Sequence, residues 1–433
     1  MAAVARGAVD FLLTGAGQLV TASGDAGPAA ARLGVVERGA VAASGGTVVF
    51  AGPEAELPDL PLAADAVRID AGGRAVVPGF VDAHTHLVFA GDRADEYAGR
   101  LRGVSYEETL AAGGGINRTV RETRAASDAQ LERSTAERLV QAGRHGTTTL
   151  EVKSGYGLNV ADERRSLEVI ARLRARTPLD LVPTFLGAHL IPPEFASDRA
   201  AYLDLLEHEM LPVCAPLAEF VDAFCDRGAL TVEESRRVLR AGKRHGLALK
   251  VHANELGPTG GAWLAAEQRC VSADHLLFLD SAEAAAMRRA GTVAVLLPGT
   301  SFLLKTGRAA PIQTLRDAGT TVALGTDCNP GTCYSESMQL MIALACVHGG
   351  LTPEEALLAA TDGAAKALSR AGRAGRLAPG SAADLVVLAG RSYADLAYHL
   401  GVNLAHQVVK GGRVVASDGR PVALLAPEPE PAD

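Results

Sequence analysis

Two histidines, His84 and His86, stand two residues apart at the end of the apolar run PGFVDAHTHLVF. In an extended strand, residues i and i+2 face the same side, so both imidazoles can turn toward one ion. A lone pair of this kind also occurs as ordinary hydrogen-bonding groups. Two further segments strengthen the metal reading: LALKVHANE carries His252 at the end of a second apolar run, and VALGTDCNPG carries Asp327 at the end of a third. Three imidazoles and one carboxylate suit a borderline ion such as Zn²⁺, Fe²⁺ or Mn²⁺. A catalytic ion of this type lowers the pKa of a bound water from about 16 toward about 7. The chemistry implied is hydrolysis.

Other groups with chemical uses recur where apolar runs end. His275, in SADHLLF, can take a proton from an activated water or orient it. Glu255, three residues beyond His252, can shuttle that proton to a leaving nitrogen, and the sequence leaves open which of the two delivers it. Arg93, seven residues beyond His86, has a planar fork suited to a carboxylate. Its plainer alternative is a surface ion pair with Asp92 or Asp95. Tyr156 lies in SGYG, where the glycines permit close backbone approach to a ligand. Binuclear centres in some barrels use a modified lysine on the fourth strand. Here that strand reads FVDAFCD, so one metal is expected, and Lys153, ending the second strand, reads as a structural or substrate-adjacent cation. Cys328 and Cys333 flank the Asp327 turn and read as small buried hydrophobes.

These groups need a scaffold that gathers many strand ends. Candidate strands are Phe80–His84, Thr147–Lys153, Leu181–Gly187, Phe220–Phe224, Leu247–His252, Val271–His275, Val293–Leu297 and Val322–Thr326. Helical patterns lie between them, including Asp128–His145, Ala161–Arg176, Val232–His245, Ser281–Ala290 and Pro311–Ala318, several followed by a stop-signal glycine. Repeated helix–glycine–strand units imply a parallel sheet. An open sheet concentrates its site at one switch point. A (β/α)8 TIM barrel brings every strand end to one face, which is where the chemistry-bearing residues fall. The fold class is therefore α/β, a (β/α)8 TIM barrel over residues 76–375. Short β-like runs at both ends predict a small β-sandwich domain from residues 1–75 and 376–425, with VVKGGRVV as a hairpin about Gly411-Gly412. Residues 426–433, Pro-rich and acidic, read as a disordered tail.

Composition narrows the class. With 48% hydrophobic residues in 433, a large aliphatic core is expected without disulfides, and the six cysteines show no CxxC pair. A net charge of −8, with no dense Lys/Arg run, argues against nucleic acid as a partner. No apolar stretch reaches the ~20 residues of a membrane span, and the N-terminus makes a poor signal peptide. A soluble, cytoplasmic enzyme is expected.

The motifs PGFVDAHTHLVFAGDR, TTTLEVKSGYGL, FLGAHLIP, KVHANELG, ADHL and GTDCNPGT resemble the amidohydrolase superfamily, and within it the imidazolonepropionase family, from about Gly45 to Val415. The resemblance implies opening of the lactam ring of 4-imidazolone-5-propanoate to N-formimidoyl-L-glutamate in histidine degradation. It implies one Zn²⁺ or Fe³⁺ per subunit on His84, His86, His252 and Asp327, and a homodimer. It matches Arg93, Tyr156, His189, Asn329, Gly331 and Thr332 to substrate binding, and Glu255 and His275 to binding and proton transfer. His189 would hydrogen-bond the ring or polarise its carbonyl. Asn254 and Thr332 stand where relatives often have Asp and Ser. The competing enzyme reading is a nucleobase or aminoimidazole deaminase on the same scaffold, against which Arg93 argues, because a neutral base has no carboxylate to clamp. A non-catalytic metal protein would need neither Glu255, His275 nor Arg93 around a closed site.

Overall fold

The computed structural model describes residues 8–24, 26–105, 108–109 and 112–426. Five strands come first: β1 (Val9–Val20), β2 (Val35–Ser44), β3 (Thr47–Pro53), β4 (Leu62–Asp70) and β5 (Ala75–Pro78). Eight follow: β6 (Phe80–Asp82), β7 (Thr147–Lys153), β8 (Asp180–Ala188), β9 (Phe220–Cys225), β10 (Ala248–Ala253), β11 (Ser272–His275), β12 (Val293–Leu296) and β13 (Val322–Leu324). Four close the chain: β14 (Leu385–Leu388), β15 (Ala405–Lys410), β16 (Arg413–Ser417) and β17 (Arg420–Pro421).

Strands β6 to β13 pair in chain order, all parallel. The first and last are joined as well. Ala83 N donates to Leu324 O (3.3 Å), Asp327 N to His84 O (2.9 Å) and His86 N to Cys328 O (3.0 Å). The Asp82 carboxylate reinforces the seam by accepting from Thr326 N (2.9 Å) and Thr326 Oγ1 (2.6 Å). These bonds distinguish a barrel from an open sheet, which has none between its outer strands. The eight expected strands are all present, with ends displaced by two residues at most. The helix starts follow from local chemistry: Ser127, Thr231 and Asp280 each cap a helix with a reciprocal bond to Gln130, Glu234 and Glu283.

The two ends of the chain build one nine-stranded sheet, in which β14 from the C-terminal half pairs with β5 from the N-terminal half. The sheet bends back on itself: Val48 N donates to Ser381 O (2.8 Å) and Ala383 N to Gly46 O (2.9 Å). The fold encloses Phe11, Leu13, Val41, Ile69, Leu385, Val387 and Val409 in a core of their own. β1 continues to Val20 because pairing with β2 resumes after a bulge between Leu13 and Ala16. Gly411 and Gly412 take φ of +55° and +76°, as a two-residue hairpin turn demands. Residues 75–78 still pair in this sheet, and the chain enters the barrel at Gly79. Of the expected tail, Ala426 N donates to Arg176 O, and residues 427–433 lie outside the described residues. Among the described residues, no helix is long and apolar enough to cross a membrane.

Because Asp82 satisfies buried donors on the opposite side of the barrel seam, Asp82→Ala leaves them unpaired. We expect a loss of about 2–4 kcal/mol on the scale of one or two unsatisfied buried groups, read as a lower urea midpoint. An unchanged midpoint would contradict a role for Asp82 in closure.

Candidate metal centre and active site

The residues expected to bind metal converge. His84 Nε2 lies 3.1 Å from His86 Nε2 and 3.5 Å from Asp327 Oδ1. His86 Nε2 lies 3.4 Å from both Asp327 Oδ1 and His252 Nε2. Ligands about 2.1 Å from one ion, at tetrahedral to octahedral angles, stand roughly 3.0–3.4 Å apart. His84, His86 and Asp327 stand at such mutual separations, and His252 adjoins them through His86. His84, His86, His252 and Asp327 are all buried. Burial pushes the His84 and His86 pKa values down, so both imidazoles are neutral and offer lone pairs. Asp327 Oδ2, the oxygen turned away from the imidazoles, accepts from Thr300 Oγ1 at 2.6 Å.

Beneath this cage lies a layer of buried charge. Lys153 Nζ lies 2.7 Å from Glu151 Oε2 and donates to Asp222 Oδ2 at 2.7 Å. Lys250 Nζ lies 3.0 Å from Glu151 Oε1 and donates to the Ala83 carbonyl at 2.8 Å. Glu151 and Lys153 share β7, whereas the bonds from Lys153 to Asp222 and from Lys250 to Glu151 join strands that are not neighbours in the sheet and so cross the barrel interior. The layer touches the metal ligands directly: His84 Nδ1 lies 2.6 Å from Asp274 Oδ2, and His252 Nδ1 3.0 Å from Asp222 Oδ2. Asp274 takes the Nδ1 hydrogen of His84, which fixes that ring's tautomer and leaves its Nε2 as the lone-pair donor, and Asp222 lies close beside Nδ1 of His252. Burial alone would raise the Asp222 carboxyl; His252 and Lys153 beside it hold it well below the usual range.

Sequence reasoning placed Lys153 near the site but missed Glu151, Asp222, Lys250 and Asp274. A signal was present. Glu151 and Lys153 alternate within LEVK, and Lys250 and His252 within LKVH, so that charges occupy one face of otherwise apolar strands. A charge at such a position must be paired across the interior. The Cys328 and Cys333 side chains are buried, and burial pushes both thiols up in pKa.

Above the cage, His275 Nε2 lies 3.6 Å from Glu255 Oε2. His275 sits at φ +77° at the end of β11, a conformation held by its surroundings rather than by preference. Burial pushes the His275 pKa down to about 3, whereas burial, then Asp327 and Asp226, push the Glu255 carboxyl well above its ordinary range. The Asp226 carboxylate accepts from the backbone N–H groups of Glu255 (2.7 Å) and Leu256 (3.0 Å), and so fixes the loop that carries Glu255. Asn254, at φ +52°, donates its side-chain amide to Glu283.

His189 and Tyr156 form another wall. The His189 ring stacks on His86, centroids 5.1 Å apart, and lies 5.3 Å from Tyr156. Nδ1 of His189 lies 2.9 Å from the Gly155 carbonyl, so Nδ1 carries the hydrogen. Burial holds the ring pKa well below its ordinary value. A neutral ring in this tautomer presents Nε2 as an acceptor. Tyr156 keeps its hydrogen, because burial and then Asp327 raise its pKa.

Arg93 pairs neither with Asp92 nor with Asp95. Its Nε donates to Glu96 Oε2 at 2.7 Å, and the rest of the fork lies against Gly331, where a Cβ would come within 2.2 Å of Nη1. Asn329 Oδ1 accepts from Gly331 N (2.9 Å) and Thr332 N (2.8 Å), and its amide donates to the Asp327 carbonyl and Thr332 Oγ1. Asn329 thus shapes the Asp327–Thr332 loop, and Gly331 leaves the space that Arg93 fills.

The comparisons agree with this geometry. The amidohydrolase family model matches residues 75–415, and the chain is a member of that family. It is 49% identical over 418 residues to an imidazolonepropionase from Symbiobacterium thermophilum, covering 95% of this chain and 98% of that one. Imidazolonepropionases from Geobacillus kaustophilus (47%; 93% and 97% covered) and Parabacteroides distasonis (44%; 93% and 98%) are similar over the same extent. Within the family, the chain belongs with the imidazolonepropionases. Among solved structures, a triazine hydrolase variant superposes with a TM-score of 0.71 at 20% identity, covering 95% of each chain. An adenosine deaminase from Xanthomonas campestris gives 0.69 at 20% identity, covering 95% and 94%. These likenesses concern the fold.

Asp274→Ala should weaken metal binding about 10–100-fold, as loss of such an outer partner does elsewhere, read by competition with a chromophoric chelator. Lys153→Met leaves Glu151 and Asp222 short of a cation and should cost about 3–5 kcal/mol of stability, read by thermal or urea unfolding.

Proposed function

We propose that this protein hydrolyses the five-membered ring of 4-imidazolone-5-propanoate, giving N-formimidoyl-L-glutamate in histidine degradation. The observation that carries the reading is the convergence, on one barrel face, of a four-donor metal cage, the His275–Glu255 pair and the Arg93 fork. The substrate is a lactam with a carboxylate tail. A deaminase substrate carries no carboxylate to meet the Nη groups of Arg93, which Glu96 engages only through Nε.

One Zn²⁺ or Fe³⁺ ion per subunit would be held by His84, His86, His252 and Asp327, of which His84, His86 and Asp327 cluster closely and His252 adjoins His86. When bound, the ion supplies Lewis acidity for activating water and polarising the ring carbonyl. Every other task falls to side chains. His275, neutral, takes the proton of the attacking water. Glu255, within 3.6 Å of that ring and biased toward its protonated form, delivers a proton to the ring nitrogen as the C–N bond breaks. Tyr156 donates a hydrogen bond to the developing oxyanion. His189 Nε2 accepts from a ring N–H. Arg93 holds the propanoate. Asn329, Gly331 and Thr332 form the floor against which the ligand lies. The enzyme is read as cytoplasmic and homodimeric. Supporting the dimer, Tyr398, Leu400, Val402 and Val347 expose apolar surface of the kind subunit contacts cover.

Loss of the imidazolone ultraviolet absorbance should occur with imidazolone propanoate, while cytosine and guanine should not be deaminated. The reverse pattern would overturn the assignment. His275→Phe should keep its metal and lose roughly 10²-fold or more in kcat. Arg93→Met should raise KM roughly tenfold or more, the scale of a charged hydrogen bond.

A further inference from the structure

Arg93 is not the only guanidinium at Gly331. The helix Ala94–Leu101 has Arg93 at its N-cap and Arg100 in its last turn. Seven residues is close to two helical turns, so both side chains lie along one face. That face meets the Asn329–Thr332 loop. Arg100 Nη2 donates to the Gly331 carbonyl at 3.0 Å, while Arg93 Nη1 occupies the space beside the Gly331 Cα. Two cations therefore converge on one residue of the substrate-side loop.

The carboxylates nearby do not balance them. Glu96 accepts from Arg93 Nε and faces the Gly115 N–H. Asp95 and Glu122 are taken by Arg118. Among the described residues, no carboxylate forms an ion pair with Arg100, whose other neighbour is the Tyr97 ring, 5.6 Å away. Burial, then the charge of Arg93, press the Arg100 pKa down, the effect of a cation held half-desolvated beside a like charge. Such an arrangement is costly without an anion and favourable with one.

We propose that Arg100 is a second carboxylate-recognition residue, which with Arg93 grips the propanoate of the substrate from two sides of Gly331. This rests on the ring-opening reading above, and deepens it: selection for a carboxylate-tailed ring is set by a pair of arginines rather than by one. A carboxylate with an oxygen on each guanidinium is held in position as well as in charge. Gly331 is required there because any side chain would displace Arg93.

The test uses the metal-loaded enzyme as wild type, Arg100→Met and Arg100→Lys. Two stable ring probes are compared as competitive inhibitors: hydantoin-5-propanoate and 5-propylhydantoin, which share the ring and differ in the carboxylate. Wild-type turnover of imidazolone propanoate is measured first. Its absence would sink the ring-opening reading itself, whatever Arg100 does. Given turnover, Arg100→Met should raise KM and the inhibition constant of hydantoin-5-propanoate about ten- to hundredfold, with the loss mainly in KM. The constant for 5-propylhydantoin should stay within twofold. Arg100→Lys, which keeps the charge but not the fork, should recover part of the loss. Equal weakening of both probes would assign Arg100 to loop structure alone, and no weakening of either would show it does not touch the ligand; either result overturns the proposal.

Discussion

The buried ion layer is what the active site stands on. Glu151, Lys153, Asp222, Lys250 and Asp274 are drawn from four strands and meet inside the barrel. Taking such charges out of water costs several kcal/mol each, and only close pairing offsets that. The arrangement persists because every partner is rigidly placed on a strand. Its product is directional. Asp274 and Asp222 hold the Nδ1 sides of His84 and His252, so both Nε2 lone pairs point the same way. The donor atoms of His84, His86 and Asp327 lie 3.1–3.5 Å from one another, and His252 Nε2 stands 3.4 Å from His86 Nε2.

The same principle recurs around the cage. Thr300 ties down Asp327, Asp226 ties down the backbone of Glu255, and the Gly155 carbonyl sets the tautomer of His189. In each case the residue that would meet the substrate is oriented by a neighbour on an adjacent strand end or loop. The site is thus built in depth, with charge pairing beneath the His84, His86, His252 and Asp327 cluster and the His275, Glu255 and Arg93 side chains around it. The barrel seam at Asp82 matters for the same reason, because His84 and Asp327 lie on opposite sides of it.

Much of this was legible in the chain. The strand-and-helix alternation is strong because the strands are mostly apolar and several helices have a capping residue or a glycine stop. His84, His86, His252 and Asp327 stand out because histidines at strand ends of one barrel face have few uses other than metal or proton transfer. What was hidden depends on contacts across the interior. No local pattern says that Lys250 reaches Glu151, or that Asp274 reaches His84, residues 190 apart in sequence. Nor does sequence alone give a tautomer: the role of His189 turned on a single carbonyl. Arg93 was expected at the mouth, but its partner Glu96 and the neighbouring Arg100 appear only once the helix is seen against the Gly331 loop. In the small domain, the bulge between Leu13 and Ala16 interrupts the alternation of β1 without ending the strand, so sequence pattern alone does not give its extent.

The proposed function requires one ion held by His84, His86, His252 and Asp327 for turnover. The direct test is titration of metal-free enzyme with Zn²⁺ or Fe³⁺ while metal content and imidazolone propanoate hydrolysis are followed together. Activity should rise in proportion to bound metal and level off at one ion per chain. Saturation at two ions per chain, or full activity in the metal-free enzyme, would contradict the account.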